Sequence, residues 1–297
     1  MSEFVKDHPA LKWRAGAVSE EPDYLAVEEP LEIRLGGRRF TLTMRTPGHD
    51  EELVAGFLLA EGFINSREEL GEVRRVRGAK GAPEPNAVDV ILNVPAAGLR
   101  ERLKRNFTVS SSCGVCGKTS IEALERRIAP LTGHARIAPR ELLRLPALMR
   151  AAQTAFSVTG GLHAAALFAP QSVDGDAAGA ASQPTGANRD AAEVASAELS
   201  LIVVREDVGR HNAVDKVIGY ALMHGLIPMS STVMTVSGRL SFEIVQKAAV
   251  AGIPILCAVS APSSLAVELA QETGMTLVGF LRDPNFNVYT HPQRIIG

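Results

Sequence analysis

Two cysteines three positions apart carry the sharpest chemical signal in the 297-residue chain. Cys113 and Cys116 form a C-x-x-C motif inside the segment 107–118, which is rich in serine and glycine. Because a thiolate is both a nucleophile and a metal ligand, this pair predicts either metal binding or reactive-thiol chemistry. The third cysteine, Cys257, lies in the apolar run IPILCAV, and we expect it to be a buried, inert core residue.

Three functions and one inert alternative are open for this motif. A structural zinc site needs four ligands, and the sequence offers neither a second cysteine pair nor two histidines at the usual spacing. A dithiol redox centre fits C-x-x-C, although no βαβ pattern precedes it. A sulfur-carrying persulfide needs an accessible thiolate with small neighbours, which this segment provides. Inert cysteines usually lie among apolar residues, and these two do not.

The residues that follow the motif favour the thiolate form. Thr119 and Glu122 have the T-x-x-E spacing of a capping box, which predicts that a helix begins there. The positive end of the helix dipole would then face the cysteines, and Lys118 adds a positive charge. We therefore predict Cys113 and Cys116 as the catalytic residues.

A second group of polar residues follows apolar strands in the C-terminal half, in the segments 206–212, 237–239 and 280–285. Open α/β sheets bind ligands at the carboxyl ends of their parallel strands, so these segments predict a binding crevice. Arginines there suit phosphate, whereas Asp207 or Asp283 suits the N–H edge of a guanine. The candidate binding residues are Arg210, His211, Arg239, Phe280, Leu281, Arg282, Asp283, Pro284 and Asn285.

His163 begins the strand candidate LHAAALFA after two glycines. A lone histidine in such a position is more often a satisfied buried residue than a functional one, and we assign it no role. None of the loops contains G-x-G-x-x-G or a P-loop, so the sequence predicts neither a Rossmann dinucleotide site nor an NTPase site.

The elements that position these residues follow two different patterns. In the first part, the alternating runs LEIRL and RRFTLTMR flank Gly36-Gly37 and predict a β-hairpin. A helix is predicted over about 50–63, and AVDVILNV predicts a further strand. In the second part, fully apolar strands alternate with amphipathic helices, which predicts βαβ units and a mostly parallel sheet covered on both faces. The predicted fold class is therefore α/β.

The same patterns predict three parts along the chain. Residues 1–25 have no clear hydrophobic period and are predicted to be a flexible N-terminal arm. A smaller β-rich α+β domain is predicted over 26–108, and a larger α/β domain with the C-x-x-C loop over 109–297. Within the larger domain, residues 170–198 contain almost no large apolar side chains, so we predict a disordered insertion there.

Composition excludes several classes of protein. Thirty-one basic residues against 33 acidic ones give a net charge of −2, which argues against a general nucleic-acid binder. No run approaches 18 apolar residues, so no membrane-spanning helix is expected, and the N-terminus has no apolar signal core. Three cysteines cannot form a disulfide framework for a chain of this length, which predicts a reducing, cytoplasmic location.

An ordered series of motifs extends over roughly residues 30–291. The series comprises Thr46-Pro47-Gly48, Gly56-Phe57, Glu61-Gly62, Cys113-Gly114-Val115-Cys116-Gly117, Thr159-Gly160-Gly161-Leu162-His163, Glu206-Asp207-Val208-Gly209-Arg210-His211-Asn212, Asp215-Lys216, Ser237-Gly238-Arg239, Ser241-Phe242-Glu243, Gln246-Lys247, Ser260-Ala261-Pro262, Gly279-Phe280 and Asn287-Val288-Tyr289-Thr290. In this order, the motifs resemble the formate dehydrogenase accessory sulfurtransferase family, FdhD/NarQ.

The resemblance implies a function. Proteins of this family take sulfur from a cysteine desulfurase as a cysteine persulfide. They deliver it to the molybdenum or tungsten of the bis-guanine-dinucleotide pterin cofactor, before that cofactor enters formate dehydrogenase. The family's persulfide position matches Cys113, and its cofactor-binding stretch matches Phe280–Asn285. Mo-bis(molybdopterin guanine dinucleotide) is then a bound substrate.

The resemblance also implies a fold and an assembly. The larger domain is expected to be a cytidine-deaminase-like αβα layered domain, preceded by the smaller β-rich domain, and the protein is expected to form a homodimer. The H-x-E…P-C-x-x-C zinc signature of the deaminases is absent, so no tightly bound metal of its own is implied. Two alternative functions stay open: a cofactor-binding chaperone without sulfur transfer, and a C-x-x-C thiol–disulfide oxidoreductase.

Overall fold

The computed structural model describes residues 3–78, 81–95, 128, 130–131, 133, 135–170 and 198–296. Both cysteines of the C-x-x-C motif lie outside the described residues. The helix predicted after them lies almost wholly outside, as does the insertion predicted over 170–198 except for its two end residues. No helix among the described ranges has the length and apolar character needed to cross a membrane.

The chain begins with an antiparallel hairpin of β1 (Val5–Arg14) and β2 (Ala17–Ala26). Ala15 and Gly16 in its turn have φ of 48° and 85°, the left-handed conformation that a tight hairpin turn requires. Residues 1–25, predicted as a flexible arm from their lack of a period, therefore contain two paired strands. Most residues of the two strands are exposed, so their sequence need not alternate between apolar and polar residues.

A four-stranded sheet follows, in the spatial order β4-β3-β6-β5. Its strands are β3 (Glu29–Leu35), β4 (Arg38–Arg45), β5 (Leu70–Arg77) and β6 (Pro83–Leu92). The predicted hairpin at Gly36-Gly37 is confirmed, with φ of 59° and 80° at the two glycines. The helix predicted over about 50–63 is observed as α1 (Asp50–Ala60). Strand β5, which is largely exposed and carries four charged residues, was not predicted.

A six-stranded sheet forms the centre of the second part, in the order β12-β11-β10-β9-β7-β8. Its strands are β7 (His163–Pro170), β8 (Leu199–Asp207), β9 (Val233–Val236), β10 (Ile255–Ala258), β11 (Thr276–Arg282) and β12 (Asn285–Thr290). Among the described strands of this sheet, the β9–β10 and β10–β11 pairs are parallel, and the other three pairs are antiparallel. The prediction of a mostly parallel sheet is therefore wrong. Antiparallel strands buried on both faces read as continuous apolar runs, just as parallel strands do.

Helices cover both faces of this sheet. They are α2 (Pro139–Ala152), α3 (Thr154–Thr159), α4 (Arg210–Met223), α5 (Phe242–Val250) and α6 (Ser264–Thr273), with a 3₁₀ turn at Pro292–Arg294. Helix α2 packs on one face, where Leu142 and Leu145 join the core around Phe168. Helices α4, α5 and α6 pack on the other. The chain is thus a mixed α/β protein, while the specific likeness to cytidine deaminases stays a prediction.

Helix α1 links the two sheets by packing on α4. A Cβ added at Gly56 would lie 1.9 Å from the carbonyl oxygen of Asp215, and one at Gly219 would lie 1.8 Å from that of Glu52. Glycine therefore allows the two helix backbones to approach closely at both positions. Both sheets contribute residues to the larger hydrophobic core, on the face that α4, α5 and α6 cover. The predicted domain boundary at residue 108 lies outside the described residues.

Candidate functional site

The topology brings the three predicted polar segments to one edge of the six-stranded sheet. Strands β8 and β9 are both antiparallel to β7, so they run in the same direction. Strands β10 and β11 are parallel to β9. The carboxyl ends of β8, β9, β10 and β11 therefore share an edge with His163, the first residue of β7. We call this edge the strand-end site.

Asp207, at the end of β8, anchors the site internally. Its carboxylate is fully buried and accepts hydrogen bonds from Gly209 N at 2.8 Å and Asn212 Nδ2 at 2.9 Å. Lys216 Nζ lies 2.7 Å from its other oxygen, which also accepts from Thr46 N at 3.2 Å. A carboxylate with this many protein donors is not available to a guanine, which corrects the sequence interpretation of Asp207.

The Thr46-Pro47-Gly48 loop, from the first part of the chain, is fixed beneath this edge. Thr46 Oγ1 accepts a hydrogen bond from Val208 N at 3.1 Å. The buried Lys216 donates to the carbonyl oxygens of Thr46, at 2.9 Å, and Glu206, at 3.2 Å. A buried lysine with three oxygen partners stabilises one arrangement of the loop and the strand end, because leaving its charge unpaired would be costly.

Arg210 and His163 lie side by side next to Gly238. The position that a Cβ at Gly238 would take is 3.5 Å from His163 Nδ1 and 3.6 Å from Arg210 Cδ. The Nε atom of Arg210 is buried and has no acceptor among the residues that the structure describes. Burial lowers the pKa of His163, and the positive charge of Arg210 lowers it further. The imidazole is therefore neutral at pH 7.

His211 and Arg239 differ in how far the protein already engages them. His211 Nε2 lies 2.9 Å from Glu243 Oε2 and 3.1 Å from Ser241 Oγ. These contacts hold the ring against α5, so His211 is oriented by protein groups. Arg239 lies three residues after the end of β9 and is exposed, which leaves its guanidinium accessible to a ligand at the strand-end site.

The predicted binding stretch 280–285 forms the hairpin between β11 and β12. Phe280 has a φ of 52° and is 44% exposed, so its ring is presented outward from a backbone conformation that non-glycine residues rarely adopt. A register irregularity between Gly279 and Arg282 accompanies it. Arg282 Nε donates to the carbonyl oxygen of Val259 at 3.2 Å, which orients an otherwise exposed side chain.

Two features of this stretch differ from the sequence interpretation. Leu281 is fully buried in the core that faces α2, because adjacent strand residues point to opposite sides. It supports the site from behind and offers no surface to a ligand. Residues 280–282, predicted to follow the apolar strand, form the end of β11, and residues 283–284 form a tight turn across which Arg282 pairs with Asn285.

Cys257 lies in β10 and is fully buried, as predicted. Burial raises the pKa of its thiol, so it stays protonated and unreactive.

His163 is the residue at this edge to which the sequence analysis assigned no role. The available signal was its position at the start of a strand whose partner ends in the polar segment 206–212.

The FdhD/NarQ family profile matches residues 26–174 and 177–296 of the chain. The sulfur carrier protein FdhD of Mycolicibacterium paratuberculosis is 50% identical over 288 residues, which cover 95% of each chain. The sulfur carrier protein FdhD of Saccharolobus solfataricus is 41% identical over 294 residues, covering 98% of this chain and 95% of its own.

A solved structure is also similar to this chain. It is the crystal structure of a protein described as a formate dehydrogenase accessory protein from Desulfotalea psychrophila. The TM-score is 0.69 at 26% identity, and the match covers 99% of this chain and 100% of that one. By its fold and its motifs, this mixed α/β chain is therefore similar to the class of formate dehydrogenase accessory proteins. The chain belongs to the FdhD/NarQ family, which confirms the resemblance carried by its motifs.

Proposed function

We propose that this protein is a sulfurtransferase for the molybdenum cofactor. It accepts sulfur from a cysteine desulfurase as a persulfide on Cys113. It then delivers the sulfur to Mo-bis(molybdopterin guanine dinucleotide), which formate dehydrogenase requires. The names of its relatives support the sulfur-carrying part of this proposal.

The observation that carries cofactor binding is the buried Nε of Arg210, a charged donor with no acceptor among the described residues. Buried donors are normally paired, so an acceptor supplied by a ligand would satisfy it. Phosphate oxygens suit a guanidinium, and the dinucleotide substrate provides them. The exposed ring of Phe280 offers a flat surface for guanine at the same edge, with Arg282, Asp283 and Asn285 beside it.

The two cysteines can supply the electrons that the transfer of sulfur requires. The outer sulfur of a Cys113 persulfide is at the oxidation level of elemental sulfur, and the metal receives sulfide. The Cys116 thiolate supplies the electron pair by attacking the inner sulfur, which forms a Cys113–Cys116 disulfide and releases hydrosulfide. Hydrosulfide then replaces an oxo ligand of the metal, and that oxygen leaves as water with the hydrosulfide proton and one further proton from solvent. A cellular dithiol reductant returns the cysteines to the reduced state for the next cycle.

Intact mass after incubation with a cysteine desulfurase and cysteine tests this proposal. A gain of about 32 Da that a reductant removes is expected, because a persulfide is a reducible sulfur on a thiolate. The Cys113→Ala variant should not gain this mass. A wild-type protein that never gains it, yet still binds guanine nucleotide, would favour the chaperone alternative. A protein that only cycles a disulfide would favour the oxidoreductase.

The cellular setting is part of the same proposal. We place the protein in the cytoplasm as a homodimer, with the desulfurase and formate dehydrogenase as its partners. A cytoplasmic location agrees with the small number of cysteines and with the reduced thiols that the chemistry needs.

A further inference from the structure

The side chains of Arg210 and His163 both lie next to Gly238. Arg210 contributes a buried Nε without an acceptor among the described residues. The ring of His163 likewise makes no hydrogen bond to any residue within the described ranges. Both side chains lie 3.5–3.6 Å from the position that a Cβ at Gly238 would occupy, so the absence of a side chain at Gly238 leaves the space next to both of them unfilled.

We propose that Arg210 and His163 form a seat for a phosphate group of the guanine dinucleotide, and that Gly238 keeps this seat open. The inference rests on the proposed function, because it assigns one part of that substrate to one part of the strand-end site. It adds His163 and Gly238 to the residues that determine binding.

The position of the seat agrees with that of Phe280, whose exposed ring is the proposed platform for guanine. Gly238 follows β9, and Phe280 lies in β11, with only β10 between them. Adjacent strands are about 4.8 Å apart, so the two features lie roughly 10 Å from each other along the edge. A nucleotide with its base on Phe280 can therefore direct its phosphates toward Gly238.

Binding of a phosphate group in the seat draws a proton onto His163. Burial and the charge of Arg210 keep this imidazole neutral in the free protein. The other groups that act on it are Asp207, which raises its pKa, and His211, which lowers it. Glu243 of α5 faces His211 in turn. An anion beside the ring offsets the charge of Arg210 and raises the pKa of His163, so ligand binding and protonation are linked.

Titration calorimetry of GDP and of inorganic pyrophosphate tests the seat. Gly238→Ala places a methyl group at ordinary contact distance from both side chains, so the variant is expected to fold and to fill the space of the seat. We expect at least a tenfold loss of affinity for both ligands. Gly161→Ala is the matched control, because its added Cβ meets nothing closer than 3.6 Å and lies away from Arg210, and its affinity should equal that of wild type.

Proton uptake provides a second measurement. Calorimetry in buffers of different ionisation enthalpy should show that wild type takes up more protons on binding GDP than His163→Asn does. A merely structural histidine would leave this difference at zero, even if its replacement weakened binding. Thermal unfolding of each variant establishes that it is folded.

The outcomes separate this inference from the proposed function. If GDP binds wild type but Gly238→Ala and His163→Asn bind it unchanged, the seat is wrong and cofactor binding stands. If Gly238→Ala lowers the affinity for pyrophosphate, but GDP binds wild type no more tightly than pyrophosphate does, the phosphate seat is supported and the guanine platform at Phe280 is wrong. If neither ligand binds, the seat is wrong, and sulfur loading of Cys113 still tests the carrier function separately.

Discussion

Individual residues of the strand-end site divide into those that the protein already satisfies and those that face a ligand. Asp207 and Lys216 belong to the first kind, since each has several internal partners. Arg239, Phe280 and Arg282 belong to the second kind, since their side chains are exposed. Substitutions of the first kind should therefore destabilise the fold, whereas those of the second should change binding and leave the fold intact.

Replacing Cys113 by alanine should abolish sulfur delivery. The alanine has no sulfur atom on which a persulfide could form, so a partner formate dehydrogenase produced with Cys113→Ala should be inactive. Cys116→Ala should retain some activity if an external thiol can replace it as the attacking group. Dehydrogenase activity in cells that produce each variant measures this, and full activity with Cys113→Ala would contradict the proposed function.

Replacing Arg282 by alanine should weaken GDP binding by roughly tenfold or more, because a charge-assisted contact to phosphate typically contributes about 1.5–3 kcal/mol. ADP should bind less well than GDP, because polar groups placed for guanine stay unpaired against adenine. Calorimetric titration measures both effects. Arg140→Ala, an exposed arginine on α2, is the control and should bind like wild type. Equal affinities for GDP and ADP would exclude a guanine-specific site.

At the scale of elements, the contacts between α1, α4 and β8 determine how the first part of the chain is held. Glu52 of α1 forms a two-point ion pair with Arg205 of β8, at 2.5 and 2.7 Å. Burial alone would raise the pKa of Glu52, but hydrogen bonds from Arg205 and His49 outweigh it and lower that pKa to about 2. This pair therefore connects the acid stability of the protein to the junction between its sheets.

The Glu52→Gln variant should be less stable than wild type at pH 7, by about 2–3 kcal/mol. A carboxylate with a lowered folded-state pKa contributes stability above its ordinary pKa of 4.5, and this is lost as the pH falls toward 2. The difference between wild type and variant should accordingly shrink between about pH 4.5 and pH 2. Urea unfolding across this range is the measurement. Glu51→Gln, its exposed neighbour on α1, should show no such dependence.

The hairpin of β7 and β8 should not need the long segment between its strands. Pro170 and Leu199 are paired directly, so a short turn can join them. Replacing residues 172–197 by Asn-Gly should shift the melting temperature by no more than about 4 °C. In wild type, limited proteolysis should cleave first within 170–198, because the segment lacks core-forming side chains. A fall of tens of degrees on deletion would show that the segment packs.

At the scale of the whole molecule, local patterns predicted elements well and their arrangement less well. The hairpin at Gly36-Gly37, helix α1 and the apolar strands were all predictable, because period and turn chemistry are local. The direction of β7 was not, because a strand buried on both faces has the same apolar sequence in either orientation. The shared location of the binding segments was predictable, because each segment lies at the end of a strand. The proximity of His163 and Arg210 to Gly238 was not, because it depends on tertiary packing.

The stability of the whole chain should depend on the close approach of α1 and α4 at Gly56 and Gly219, because these helices connect the two sheets. Gly56→Ala forces a methyl group to within 1.9 Å of a backbone oxygen, which the two helices can relieve only by moving apart. Overpacking of this kind should cost about 3 kcal/mol or more in the free energy of unfolding. Denaturant unfolding measures it. Gly78→Ala, whose added Cβ meets only ordinary contacts, should stay within about 1 kcal/mol of wild type.

The crossing of α1 and α4 has a consequence for synthesis on the ribosome. Helix α1 ends at residue 60, and its packing partner begins at residue 210. Because translation adds about 5–20 residues per second, roughly 8–30 s pass between the synthesis of α1 and that of α4. During that interval the nascent chain exposes Leu53, Val54 and Leu58, which are all buried in the finished protein. We therefore expect the nascent chain to need protection of this apolar helix surface, for example by a chaperone, until α4 has been made.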